Sequence, residues 1–268
     1  MTGRSLWWRW SWRDLRQHWA AVVTIGAVIA IGTGVYAGLG STAAWRELSN
    51  DASFAELNMH DLRVELSPGT FADEGTLRDV TMAIPSADQV LAADERLVID
   101  SQVDASTADQ TILVSARVVG ADFSRPDVVD GVWVPDGVLP APGASAEVVL
   151  EKKFAEYYAL QATGSVSITG GTDERYTGLG VAPEEFYVFG PQGSVLAQAD
   201  LAHMYASLPT VQGLAGRPGE VNDVVIALVD GADRDAVEAE VDDAFSGAAG
   251  LSATVTTQDE AEAFRVLY

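Results

Sequence analysis

Cysteine is absent from this 268-residue chain. Its absence excludes disulfides, a lipidated cysteine anchor, thiolate metal sites and cysteine nucleophiles. A cysteine-free exported domain suits a bacterial envelope better than a eukaryotic secretory route. Histidine is almost as scarce, with three in all, His18, His60 and His203. No HExxH and no paired ligand spacing supports a zinc site, so no metal is expected. There is no GxSxG or SxxK in a nucleophile context and no P-loop. Positive charge is also in short supply, with 16 Lys and Arg against 39 Asp and Glu, a net charge of -23. A surface that acidic repels phosphate backbones, which argues against nucleic-acid binding, and it repels anionic lipid headgroups.

The imbalance is uneven. The first sixteen residues hold four arginines (Arg4, Arg9, Arg13, Arg16) and one acid, Asp14, which leaves 12 basic and 38 acidic residues for the remainder. Between Trp19 and Trp45 there is no charged residue. The apolar core of that stretch, residues 19–39, has the length of a bilayer-spanning helix at about 1.5 Å per residue. Arginines before it and acids after it place the N-terminus in the cytoplasm and the bulk of the chain outside. A cleavable signal peptide is the alternative, but the apolar run exceeds the usual 7–15 residue core of about that class. A retained transmembrane helix over 19–42 is therefore expected.

Gly26, Ala30, Gly34 and Gly38 recur every four residues along this helix. Such a stripe lets another helix backbone approach closely. Upstream, Arg9, Arg13 and Arg16 fall on one helical face, and Trp8, Trp12, Leu15 and Trp19 on another. Residues 1–18 are expected to form an amphipathic helix in the cytoplasmic interface, anchored by Arg9, Trp12, Arg13 and Arg16.

Residues 43–268 read as one extracytoplasmic α+β domain, with a strand-rich subdomain inserted at about 120–214. Alternation predicts strands at 61–66, 97–103, 111–119, 147–150 and 165–169. Residues 74–83, 87–93 and 151–160 read as helices, and 186–189 as a strand. Residues 201–208 read as a short helix stopped by Pro209, and 213–220 as a Gly/Pro linker. The last part is the clearest. A strand at 221–229 precedes a helix capped by Asp233, with Val237, Val241 and Phe245 on its inner face and Gly247 at its end. A strand at 251–256 and the start of a helix at 258–268 follow.

Candidate chemistry is thin. Residues 230–243 are rich in acids, but the glycine and glutamate of an EF-hand loop do not fall in register. Glu184-Glu185 and Asp242-Asp243 are adjacent acids that point apart on a regular element, unlike a glycosidase pair. The glycines of residues 32–38 lie inside the membrane helix and are not a dinucleotide loop. No catalytic residue and no cofactor are assigned.

An Arg-rich opening with Trp12-Arg13-Asp14-Leu15-Arg16, running into a Gly/Ala-rich membrane helix and an outer α/β domain, resembles the N-terminal part of MacB/FtsX-type ABC transporter permeases. The stretch Arg117-Val118-Val119-Gly120-Ala121-Asp122-Phe123 resembles the strand of that family's periplasmic core that ends in V-G-x-D. Glu147-Val148-Val149-Leu150 and Gly164-Ser165-Val166-Ser167-Ile168 resemble its later strands, with Ser165 where the family often has Asp. The resemblance implies a permease subunit or fragment whose partners are a cytoplasmic ABC ATPase and further membrane helices. It also implies a mechanical outer domain without chemistry of its own. A single-pass anchored binding or scaffold module is the alternative. A third reading is an anchored hydrolase with acids converging in a pocket around His60 or His203.

Overall fold

The computed structural model describes residues 4–141, 143–169, 173–185, 189–190, 194–195, 199–248 and 251–260. The chain divides into two units, Met1–Ala52 and Ser53–Tyr268. In the first, α1 spans Arg4–Gln17 and α2 begins at Trp19, the latter running to Glu56. Within α2, Trp19–Ser41 is the one stretch among the described residues long and apolar enough to cross a membrane. Thr24 and Thr33 do not leave their hydroxyls unpaired in this apolar setting, because each donates to a carbonyl four residues back.

The second unit holds β1 (Leu62–Leu66), β2 (Ala72–Asp73), α3 (Thr76–Thr81), β3 (Val90–Asp104), β4 (Leu113–Ala121), β5 (Trp133–Gly137) and β6 (Glu147–Glu151). It continues with α4 (Lys152–Tyr157), β7 (Gly164–Ile168), β8 (Asp173–Val181), β9 (Phe189–Gly190), β10 (Ser194–Val195), β11 (Leu201–Ser207) and α5 (Leu208–Ala215). Finally come β12 (Glu220–Val221), β13 (Asp223–Leu228), α6 (Arg234–Gly247) and β14 (Ala253–Thr257). One mixed sheet runs in the order β14-β1-β13-β3-β4-β11-β6-β8-β5, with β7 paired to β3 and β8. Its pairings are antiparallel except β4 with β11 and β6 with β8. The architecture is the α+β arrangement expected, an apolar N-terminal helix and a mixed α/β domain.

Alternation sorts the strands onto two faces. Leu62, Val64, Val224 and Ile226 lie on one face, where Leu77 of α3 and Val237, Val241 and Phe245 of α6 close a core. Further along the same face, Leu97, Val118, Leu150 and Met204 pack with Phe154 of α4 and Val211 of α5. Leu208, at the start of α5, touches both clusters. Gly120 is required here. A Cβ on it would stand 2.7 Å from Val211 Cβ, so the β4–α5 contact exists only because that side chain is missing.

Three local expectations are corrected. Residues 201–207 are a strand, not a helix. β11 lies between β4 and β6 with both faces covered, so its first six residues are all buried and show no alternation. Pro209 starts a helix rather than ending one. It sits in the first turn of α5, where its missing N–H costs nothing, and Ser207 caps the turn by accepting from Thr210 N. The supposed linker from 213 is the end of that helix, closed by Gly216 at φ 64°. The expected helix at 87–93 is a single 3-10 turn, Ala87–Gln89, followed by β3, because pairing of Ala93 with Ile226 outweighs local propensity. Residues 186–188 and 261–268, where a strand and most of a helix are expected, lie outside the described residues.

Candidate functional site

The face of the sheet opposite the helices carries charge. β1 places Arg63 there, β3 places Arg96, and β13 places Asp223 directly across from Arg96. Two segments lie over them. One is the turn before β5, which contributes Asp130, and the other is the 3-10 turn Pro183–Glu185, which contributes Glu184. The sixth member is His60, two residues beyond the Leu57–Asn58 turn that follows α2.

The contacts close on one another. Arg96 Nε donates to Asp223 Oδ1 at 2.7 Å, and its Nη1 donates to Glu184 Oε2 at 2.8 Å and to Asp130 Oδ2 at 3.0 Å. Arg63 Nε donates to the other Asp223 oxygen at 2.6 Å, and its Nη1 reaches Glu184 at 3.4 Å. The backbone N–H of His60 donates to Asp130 Oδ1 at 3.0 Å, and Nδ1 lies 2.8 Å from Oδ2. His60, Arg96 and Asp130 are 2–3% exposed and Asp223 not at all.

Three cations then balance three anions if His60 is protonated. Burial alone lowers the His60 pKa, but the charge and hydrogen bond of Asp130, with Glu184 behind it, more than offset this and raise it above 6.5. Glu184 is pushed up by burial and, more strongly, down by Arg96 and Arg63, so its carboxyl is held far below the usual carboxylate range. Both guanidiniums are pulled down by burial and raised further by Asp223 and Glu184.

His60 Nδ1 and one oxygen each of Asp130 and Glu184 lie within 4.8 Å of one another, a spacing that can suit a cation. The residues do not fit one. Arg96 Nη1 already bonds both carboxylates, and a divalent ion would sit against a guanidinium. The arrangement is a structural ionic joint.

The joint fixes the chain where it leaves α2. Asp130 N donates to Asn58 O at 2.9 Å and Gly131 N to Leu57 O at 2.8 Å. Asp61 N donates to Ile226 O, Asp61 Oδ2 accepts from Leu228 N, and Asp61 O accepts from Gln258 N. Phe54 and Met59 are buried beside them. Asn58 and Asp130 face each other across this seam at φ 50° and 56°, left-handed values that non-glycine residues seldom adopt. A cleft of about 390 Å³ adjoins the seam, lined by Phe54, Met59, Leu91, Val129, Leu228 and Gln258 among others.

Of the residues singled out from sequence, Gly26, Ala30, Gly34 and Gly38 are exposed on α2, and the three glycines have open space where a Cβ would stand. Trp12, Arg13 and Arg16 are exposed on α1, and Arg9 lies on the same helix. Acids do converge on His60, but around a filled cluster in place of a pocket. His203 is buried on β11, the strand paired with β6, whose last residue is Glu151. Glu151 itself caps α4, accepting from Lys153 N and Phe154 N. The acid-rich 230–243 stretch is largely helix α6, capped by Asp233. No sequence motif marks the ionic joint. Its one sequence signal is the placement of Arg63 and Arg96, two of the few basic residues in an acidic domain, inside strands.

No family model matches the sequence, and no curated protein matches it. The chain is similar in structure to the periplasmic region of MacB from Actinobacillus actinomycetemcomitans, at 9% identity and a TM-score of 0.49, over 77% of this chain and 92% of that one. It is also similar to the extracellular domain of the noncanonic ABC-type transporter YknZ from Gram-positive bacteria. That likeness has 12% identity and a TM-score of 0.46, over 73% of this chain and 98% of that one.

Proposed function

We propose that the chain is the anchored, extracytoplasmic part of an ABC transporter permease, in which the outer domain works by movement. The observation that carries this reading is the joint. The residues that follow a helix with a bilayer-length apolar stretch are held by backbone bonds to the 128–131 turn and the end of β13, and by a buried ionic cluster. A flexible tether would suffice for a domain that merely needs to stay near a membrane. A domain that works by movement needs its own entry segment held in place, and the bonds at residues 57–61 hold it within the outer domain.

On this reading, residues 1–18 lie in the cytoplasmic interface, 19–42 span the membrane and 43–268 stand outside, with a strand-rich insertion at about 120–214. Gly26, Ala30, Gly34 and Gly38 pack against further permease helices. Arg9, Trp12, Arg13 and Arg16 anchor the cytoplasmic end, near a partner ATPase that hydrolyses ATP. The outer domain works by movement and carries out no reaction.

The absence of cysteine makes the orientation directly testable. Ala108→Cys, exposed between β3 and β4, is expected to react with an impermeant maleimide in intact cells, and Ser11→Cys only after permeabilisation. The reverse pattern sinks the orientation. A photo-crosslinker at Trp12 is expected to capture an ABC ATPase subunit in native membranes. Capture of envelope proteins alone favours an anchored binding or scaffold module.

A further inference from the structure

We propose that His60 is the proton-sensing member of a clasp that secures the segment after α2 to the outer sheet, closed while His60 is charged and loosened when it loses its proton. The proposal goes beyond the permease reading and does not depend on any partner.

The geometry is that of a sensor. The His60 ring is buried, and every charged group around it is accounted for. Asp130 comes from the turn before β5, Glu184 from the 3-10 turn, and Arg96 from β3, with Arg63 of β1 and Asp223 of β13 behind them. The two arginines remain charged at any physiological pH, and they hold the Glu184 carboxyl far below the usual carboxylate range. Imidazole is the one group here that changes charge between about pH 5 and 8.

Losing that proton leaves three buried anions against two cations. The Nδ1–H can still donate to Asp130, but without charge assistance, and the excess negative charge falls on the carboxylate that also receives the His60 backbone N–H. Asp130 is held in a left-handed backbone conformation, and its own amide and that of Gly131 are the two that grip Asn58 and Leu57. Weakening the His60–Asp130 contact therefore weakens the seam at its strained point. The sign follows from the direction of the shift. With the closed-state pKa above 6.5, closure is fully favoured below 6.5 and declines as pH rises through the raised value.

The test uses the full chain in detergent micelles. Histidine-selective labelling gives the ring pKa of His60, assigned by its loss in His60→Gln. Amide exchange over residues 128–132, corrected for its intrinsic pH dependence, reports opening of the seam. The expected result is a ring pKa above 6.5 and an opening equilibrium that rises about tenfold for each unit of that excess. His60→Gln is expected to exchange at a pH-independent rate. A ring pKa of 6.5 or less, or corrected exchange that stays flat from pH 6 to 9 in the unsubstituted chain, overturns the proposal. Should His60→Gln fail to fold, the exchange profile of the unsubstituted chain decides alone.

Discussion

Arg96 and Asp223 stand directly opposite each other across the β3–β13 pairing, and the guanidinium Nε meets Asp223 Oδ1 at 2.7 Å with neither side chain open to solvent. Taking one partner away strands the other in a poorly solvated place. Arg96→Met and Asp223→Asn are each expected to destabilise the outer domain by about 3–5 kcal/mol. Because they share one network, the double variant is expected to cost clearly less than the two single losses added together. Arg96→Lys fails as well, since an ammonium cannot meet three carboxylates laid out for a planar fork. Urea unfolding followed by circular dichroism measures each. Additive losses would mean that the two residues act independently.

Two glycines only 93 positions apart in sequence, Gly120 and Gly213, are expected to respond in opposite senses. A Cβ at Gly120 lands inside contact distance of Val211 and within 3.3 Å of the Leu208 Cα, so Gly120→Ala must push α5 off the sheet. Overpacking of that kind costs about 1–3 kcal/mol. Gly213 lies on the exposed side of α5 with nothing within 4 Å of its added Cβ. Gly213→Ala is expected to gain up to about 1 kcal/mol from helix propensity. The same unfolding measurement reads both, and a stabilising Gly120→Ala would refute the close approach.

Asp233 accepts from Ala236 N and so satisfies one of the orphan donors at the start of α6. Asp233→Ala is expected to cost about 0.5–2 kcal/mol, and Asp233→Asn little. A local melt at α6, read by hydrogen exchange, checks it. Equal losses in both variants would place the effect in the charge and not in the cap.

Why α6 was legible and β11 was not comes down to where the deciding interactions lie. The Asp233 cap and the spacing of Val237, Val241 and Phe245 are local, within fourteen residues. β11 is a strand because β4 and β6 flank it, and the residues it pairs with, such as Ser115 and Leu150, lie more than 50 positions upstream. The ionic joint is the extreme case. Its members are scattered from His60 to Asp223, and each reads alone as an ordinary charge on the polar side of a strand or in a turn. Arg96 alternates as a solvent-facing residue should. Its burial is produced by two irregular segments that carry Asp130 and Glu184 over that face, and no local pattern marks them. The apolar helix needed no partner to be read, because its signal is composition over a continuous stretch.

The acid side of the stability profile tests the joint from Glu184. Burial raises its pKa, and the two guanidiniums beside it lower it by more, so the folded value lies below the ordinary 4.5. A depressed carboxyl contributes stability that is fully present above its unfolded value and is lost as pH falls through the folded one. His60 acts in the opposite sense, contributing fully below 6.5 and fading as pH rises. The joint is therefore at full strength between about pH 4.5 and 6.5, acidic of neutrality. Glu184→Gln keeps the shape and removes the charge. It is expected to be less stable than the unsubstituted chain through that window, and the gap is expected to narrow steadily below pH 4.5, where Glu184 of the unfolded chain takes up a proton that the folded one still refuses. Above pH 6.5, both proteins should still lose the His60 contribution, so the alkaline limb survives the substitution while the acid limb flattens. Thermal melting across pH 3 to 9 separates the two limbs. A gap that stays constant down to the lowest pH at which the chain is folded would show that Glu184 does not titrate against Arg96 and Arg63.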